Sequence, residues 1–262
     1  MVFDSMIQIF DTHAHYDDKS FDEDREQLLN NMQTLNVSNI VNVAANMRGC
    51  EDTLKLIEKY PYIYGALGVH PDETKDLTEN DMLWIEEHIN DDKIVAVGEI
   101  GLDYYWDSVE RDVQKKWFVR QMEIARQADK PVIIHSREAA EDTYEIMKEV
   151  HAEEIGGVVH CFSYSKEMAA KFLDMGFYIG IGGVVTFKNA KKVKEAVEYI
   201  PVEKIVTETD CPYLAPDPYR GSRNDSGNIR YVIKAIAELK GMEEEALAAI
   251  LFENAKRLYR II

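Results

Sequence analysis

The sequence predicts an α/β fold, a closed (β/α)8 barrel of the TIM type, and three observations carry that expectation. Eight short apolar runs rich in β-branched residues recur along the 262 residues. Amphipathic stretches with helical spacing separate them. Five of the runs close on residues able to bind divalent metals, and the carboxyl ends of barrel strands are where such folds carry their chemistry. A doubly wound open sheet is the competing arrangement, but it gathers its ligand at one switch point. Only a closed ring brings the ends of runs one, four, five, six and eight together.

Taken in order, the first run, 7–11, leads into His13 and His15, and a helix is expected over 22–36. Run two, 39–44, and run three, 62–68, flank a helix at 50–60; a further helix, 79–90, precedes run four at 93–98. The helix over 110–129 places Val113, Trp117, Met122, Ile124 and Ala128 near one stripe, with Arg, Lys and Gln between them. Run five, 131–135, and run six, 156–160, enclose a helix at 138–150. The helix at 165–175 ends at Gly176, a favoured helix-terminating residue, before run seven at 177–181. A helix at 189–199 and run eight at 204–209 complete the alternation. Two closing helices, 228–240 and 243–258, are separated by Gly241, and Glu243, Glu244 and Glu245 put acid at a helix start. No linker, repeat or low-complexity segment interrupts the pattern, so one domain over 1–262 is expected.

An apolar content of 46% is ordinary for a chain with a sizeable core. No apolar run approaches the roughly 20 residues of a membrane span, so no membrane association is expected. Met1–Met6 carries no basic leader region. Cys50, Cys161 and Cys211 are odd in number, widely spaced and without a paired zinc spacing. They read as reduced thiols of a cytoplasmic protein with no obligate protein partner. The net charge of −18 works against long-range attraction of nucleic acid. Any phosphate chemistry must therefore be local.

His13 and His15 stand two apart, a spacing that turns both imidazoles to one face of a strand. Glu99 ends run four, where an unpaired carboxylate would be costly; its two oxygens suit it to bridge two ions. His135 and His160 end runs five and six, and Asp210 follows run eight as a candidate to hold a water and accept its proton. Glu208 is placed to steady a metal-binding histidine from behind, and Asp103 to act as an outer acceptor or loop cap. Four imidazoles and two carboxylates exceed what one tetrahedral zinc needs. They suit two divalent ions, zinc, manganese or magnesium, and hence a metal-dependent hydrolase. Arg137 has two readings, surface ion pair or phosphate contact. Arg220 and Arg223 flank Gly221-Ser222 in the loop after run eight, where barrels often hold phosphate; the other reading of that loop is a solvated turn. Lys188 is a further candidate cation. His88 and His151 lie on or after helices and read as solvent residues.

Taken together, Asp11-Thr12-His13-Ala14-His15, Gly98-Glu99-Ile100-Gly101-Leu102-Asp103, His135-Ser136-Arg137, His160-Cys161-Phe162-Ser163, Gly183-Val184-Val185-Thr186-Phe187 and Glu208-Thr209-Asp210-Cys211-Pro212-Tyr213-Leu214 resemble the TatD family of metal-dependent hydrolases. The motifs run in the family's order from Asp11 to Asn224, and Asn254-Ala255-Lys256-Arg257-Leu258 is similar to its ending. The resemblance implies an amidohydrolase-like barrel with DNase activity, often 3′-to-5′ on single strands. It implies metal positions at His13, His15, Glu99, His135, His160 and Asp210, and a substrate-contacting histidine at His70. At three places the chain departs from the family's usual pattern: Asp72 for a second histidine, Tyr164 for glycine, and Asp225-Ser226 for Glu-Pro. All lie around the substrate rather than the metals. The expected reaction is two-metal phosphodiester hydrolysis of DNA or a related substrate, with Glu99 bridging and Asp210 as base. The alternatives are an amide, ester or lactone hydrolase on the same barrel, or a barrel that binds without cleaving.

Overall fold

In the computed structural model, which describes residues 7–106 and 108–261, eight parallel strands form one sheet in sequential order. The reading of Met1–Met6 lies outside the described residues. The strands are β1 (Ile9–Ala14), β2 (Val37–Val43), β3 (Ile63–Leu67), β4 (Ile94–Asp103), β5 (Val132–Arg137), β6 (Gly157–Val159), β7 (Tyr178–Ile181) and β8 (Ile205–Thr207). The helices between them are α1 (Arg25–Asn31), α2 (Met47–Lys59), α3 (Glu79–His88), α4 (Arg111–Gln127), α5 (Ala140–Glu149), α6 (Lys166–Asp174) and α7 (Lys191–Tyr199), with α8 (Ile229–Lys240) and α9 (Glu244–Leu258) at the end. The barrel is nearly closed. A parallel bridge between Ala14 and Cys211, and the Asp210 amide donating to the His13 carbonyl at 2.9 Å, join its first and last strands. Among the described residues no helix is long and apolar enough to cross a membrane.

Two apolar layers follow from the alternation of strand side chains. The outward set, with Ile40, Ile63, Ile100, Ile134 and Ile179, packs on the helices as one large cluster. The inward set, with Phe10, Val41, Ala66, Ile133, Val158 and Val206, fills the barrel, and Leu258 and Tyr259 pack against it. The buried face of α4 differs from the predicted stripe. Gln114, Phe118, Gln121 and Ala125 join Trp117, Met122 and Ile124, while Val113 and Ala128 are only half-buried.

Several element bounds also differ from expectation, for local physical reasons. The helix expected over 22–36 is broken. Only Arg25–Asn31 is α-helical, and a 3-10 turn, Met32–Leu35, ends it at Asn36 in the left-handed region (φ 63°). Strand β4 runs on to Asp103 instead of stopping at 98, and β5 runs to Arg137, so these two share the longest pairing in the sheet. Strands β6 and β8 stop early, leaving His160 and Asp210 on the loops that follow them.

The β4–β5 approach is tight enough to exclude side chains. Gly101 has φ +144°, and a Cβ there would sit 1.9 Å from the His135 carbonyl oxygen. That pairing carries Glu99 and His135 into one neighbourhood. Gly101→Ala is therefore expected to lower unfolding free energy by roughly 1–3 kcal/mol, the usual cost of overpacking, in a denaturant titration. Full stability would show that the two strands can separate without cost.

Candidate metal centre

Irregularities in two strands aim the ligands. The β1–β2 register shifts between Asp11 and Ala14, and this breaks the alternation set by inward-facing Phe10. His13 and His15 thereby turn into the mouth of the barrel. The β4–β5 register shifts between Val97 and Ile100, which delivers Glu99 to the same mouth, 3% exposed.

The Glu99 carboxylate lies between two pairs of imidazoles. Its Oε2 is 3.4 Å from His13 Nε2 and 3.7 Å from His15 Nε2. Its Oε1 is 2.6 Å from His135 Nδ1 and 2.5 Å from His160 Nε2. Within each pair the facing nitrogens approach closely: 3.1 Å between His13 and His15, and 3.2 Å between His135 and His160. Asp210 Oδ1 joins the first pair, 3.3 Å from His15 Nε2 and 3.8 Å from His13 Nε2. Lone-pair donors this close repel unless a cation or a shared proton lies among them. The donor set, four imidazoles and two carboxylates within a largely buried mouth, fits divalent metal.

The far sides of three of the histidines face separate groups, while His13 Nδ1 is buried without a hydrogen-bond partner. His15 Nδ1 meets the Val43 carbonyl at 2.7 Å, and His135 Nε2 meets Asp103 Oδ2 at 3.0 Å. His160 Nδ1 faces Glu208 Oε1 at 3.8 Å, and the Glu208 carboxylate also accepts the Cys161 amide. Asp103 fills both roles expected of it, since its other oxygen accepts the amides of Tyr105 and Trp106. Such partners fix tautomer and ring orientation.

Protonation follows from this geometry in the metal-free state. Burial alone would push Glu99 up, but His160, His135 and His13 outweigh it and hold its carboxyl well below the usual range. Burial lowers His15, yet Asp210 and Glu99 overcome it and raise the imidazole to about 10. Burial lowers His135 too; Glu99 and Asp103 raise it to about 9. His13 goes the other way, to about 4, through burial and the neighbouring His160. Burial raises Glu208 to about 8. Asp210 is held below its ordinary value by His15 and His13 despite the penalty of burial.

His70 lies against the second pair: its ring meets that of His135 edge to face with centroids 4.2 Å apart, and it groups with Glu99 and His135 as donors that could hold one cation. It caps a 3-10 turn, Pro71–Glu73, where its Nδ1 accepts the Asp72 amide at 3.2 Å. Burial and His135 lower it to about 3, so the ring is neutral with its proton on Nε2. That N–H faces Glu99 Oε1 across 3.9 Å, at the edge of the centre.

The candidate cations sit farther out. Arg137, at the end of β5, stacks 3.8 Å over the Tyr105 ring. Arg220 stacks 4.2 Å over Phe187. Arg223 is forked onto the Asp24 carboxylate at 2.8 and 2.5 Å and also donates to the Ser20 carbonyl. His88 stacks on Trp84 and His151 is exposed, both away from the centre.

A model of the family described as TatD related DNase matches residues 10–260. The chain belongs to the TatD family of metal-dependent hydrolases. It is 46% identical over 253 residues to YabD of Bacillus subtilis (strain 168), an uncharacterized metal-dependent hydrolase, covering 97% of this chain and 99% of that one. It is 36% identical to YcfH of Escherichia coli (strain K12), likewise an uncharacterized metal-dependent hydrolase, covering 97% and 96% of the two chains. The crystal structure of YjjV, a TatD homologue from E. coli K12, superposes with a TM-score of 0.91 at 29% identity, covering 97% and 98%.

The positions where this TatD-family protein departs from the usual pattern have local partners. Asp72 accepts from the Ser108 hydroxyl at 2.9 Å. The Tyr164 hydroxyl meets Ser136 Oγ at 3.1 Å and accepts the Ala139 amide at 3.3 Å. Ser226 donates to Asp11 Oδ2 at 2.6 Å, inside a buried network with Thr209 and Tyr16. Sequence reasoning passed over that network. It also passed over Gln114, which holds Asp103, and Gln121, which holds both polar atoms of the Val69 backbone just before His70. Their signal was present: the two glutamines lie seven apart on the buried face of α4, where an amide needs a partner.

Metal uptake should release protons. His15 and His135, raised to about 10 and about 9, carry protons at pH 7 in the metal-free protein and must lose them to ligate. Affinity is therefore expected to rise with pH up to about those values, since protons compete with metal below them. Titration calorimetry in buffers of different ionisation enthalpy reads the released protons directly; a buffer-independent heat at pH 7 would contradict the assignment. His135→Ala should lower bound metal in the purified protein, while His88→Ala should retain it, by elemental analysis.

Proposed function

We propose that this protein is a two-metal phosphodiesterase that acts on DNA strand ends, in the manner of a 3′-to-5′ exonuclease. The observation that carries the reading is the Glu99 carboxylate, with one oxygen toward His13 and His15 and the other toward His135 and His160. A carboxylate so divided would serve two ions, with His13, His15 and Asp210 completing one set and His135 and His160 the other. Bound there, zinc, manganese or magnesium would supply Lewis acidity toward phosphoryl oxygens and a water acidified to near neutral pH. The family's description as a DNase supports a phosphodiester substrate.

The chain's own residues then divide the work. Asp210 is the carboxylate of the centre most open to solvent, its side chain 13% exposed against 4% for Glu99. It stays ionised at neutral pH and accepts the proton of the attacking water. Neutral His70 presents its Nε2–H to a phosphoryl oxygen or to the departing oxygen. Arg137, Arg220 and Arg223 are the rim cations nearest in role to phosphate contacts; Arg223 must leave Asp24 to serve. An acidic body of net charge −18 disfavours long duplex tracts, which supports engagement of a strand end. Residues 1–262 act as one catalytic unit, and the free thiols of Cys50, Cys161 and Cys211 fit a reducing cytoplasm.

Chelation should abolish hydrolysis of 3′- or 5′-labelled oligonucleotides, and added divalent ion should restore it. Preferential shortening from the 3′ end is expected; hydrolysis of acyl esters with no phosphodiester turnover would favour the amide or ester alternative. Asp210→Asn should retain much of the metal and lose roughly 10²–10⁴ in rate, the range for general acid–base catalysis. Turnover within about threefold of wild type, far short of that range, would remove Asp210 from the role of base.

A further inference from the structure

Two large aromatic rings stand in water beside the centre. Tyr105 and Trp106 follow Asp103 at the end of β4 and are 49% and 54% exposed. They meet edge to face, with ring centroids 4.8 Å apart. Arg137 lies opposite Asp103 in the β4–β5 register, and its guanidinium is 3.8 Å from the Tyr105 centroid and 5.5 Å from that of Trp106. Beside this group a second guanidinium, Arg111, covers Tyr104 at 4.0 Å.

The cluster is built into the site. Asp103 Oδ1 accepts the Tyr105 and Trp106 amides at 2.8 and 3.2 Å, while Oδ2 of the same carboxylate meets His135 at 3.0 Å. The Tyr104 amide donates to the Arg137 carbonyl at 2.9 Å, which ties the two strand ends together. One carboxylate thus fixes both a metal-facing histidine and the pair of rings. Adjoining exposed rings fixed beside such a centre mark a binding surface rather than core packing. Planar rings beside planar guanidinium groups, in a body otherwise rich in acid, match an unpaired nucleobase and its phosphate. A base inside a duplex has its faces covered by its neighbours and cannot enter such a place.

We propose that Tyr105, Trp106 and Arg137 form a stacking subsite for the unpaired base next to the scissile phosphodiester. The proposal rests on the phosphodiesterase reading and names what that site requires of its substrate: a strand whose last bases are free of a partner.

The test uses metal-loaded protein and short single strands in which each nucleotide near the end is replaced, one at a time, by a tetrahydrofuran abasic residue. On the intact strand, Trp106→Ala and Tyr105→Ala are each expected to lower kcat/KM by about 5- to 150-fold, the range for loss of one stacked base. At one abasic position the wild-type protein should lose a similar factor, and the variants should lose little more, because the partner is already gone. Trp106→Phe should recover most of the loss. Tyr199→Ala, an exposed aromatic at the far end of α7, should match wild type. Losses that are absent, or equal on intact and abasic strands at every position, would overturn the subsite while measured turnover leaves the phosphodiesterase reading intact. A wild-type protein that cleaves none of the strands under any divalent metal would overturn both.

Discussion

The structure depends on one buried carboxylate. Glu99 is almost wholly removed from water, a position that a lone charge cannot hold without large cost. Four imidazoles repay that cost by facing its two oxygens, and they hold its carboxyl well below the usual range even without metal. The backbone yields to this arrangement. The register of β4 slips beside Glu99, and Gly98 and Gly101 let β4 lie against β5 where a Cβ would strike Ile133 or the His135 carbonyl.

Outward from Glu99, three of the four histidines face a polar group, while His13 Nδ1 is buried without a hydrogen-bond partner. A neutral carbonyl serves His15 and an ionised carboxylate serves His135. Glu208, with burial pushing it up, stands behind His160. These partners come from β2, β4 and the loop after β8, so each supported histidine is braced by an element other than its own. The buried glutamines of α4 extend the bracing to Asp103 and to the backbone before His70. A barrel suits this division, because its strand ends converge while its helices support them from outside.

The rim follows a different logic. The body is acidic, and cations near the mouth are engaged with neighbours: Arg223 with Asp24, Arg220 with Phe187, Arg137 with Tyr105. A guanidinium on a ring keeps its charge and its donors, whereas one forked on a carboxylate is largely neutralised. The stacked arginines therefore offer more to a phosphate than Arg223 does. On that side of the barrel Asp72, Tyr164 and Ser226 make their hydrogen bonds, and Tyr105 and Trp106 stand exposed.

The sequence by itself determined the alternation of eight strands with helices, the barrel and the candidate ligand residues. Those features are local: apolar periodicity marks each strand, and metal-binding side chains at strand ends stand out against it. The spacing of His13 and His15 was equally legible, although strict alternation after Phe10 would have turned both outward. Tertiary structure decided the rest. The extension of β4 to Asp103 rewards pairing with β5, a strand some thirty residues away, and no local signal reports it. The pairing of Arg223 with Asp24, across 199 positions, gave a candidate phosphate contact an intrachain partner. The division of Glu99 between two imidazole pairs exists only once four strands meet. Local propensity reads along the chain, whereas these contacts depend on which distant groups the closed barrel brings within a few ångströms.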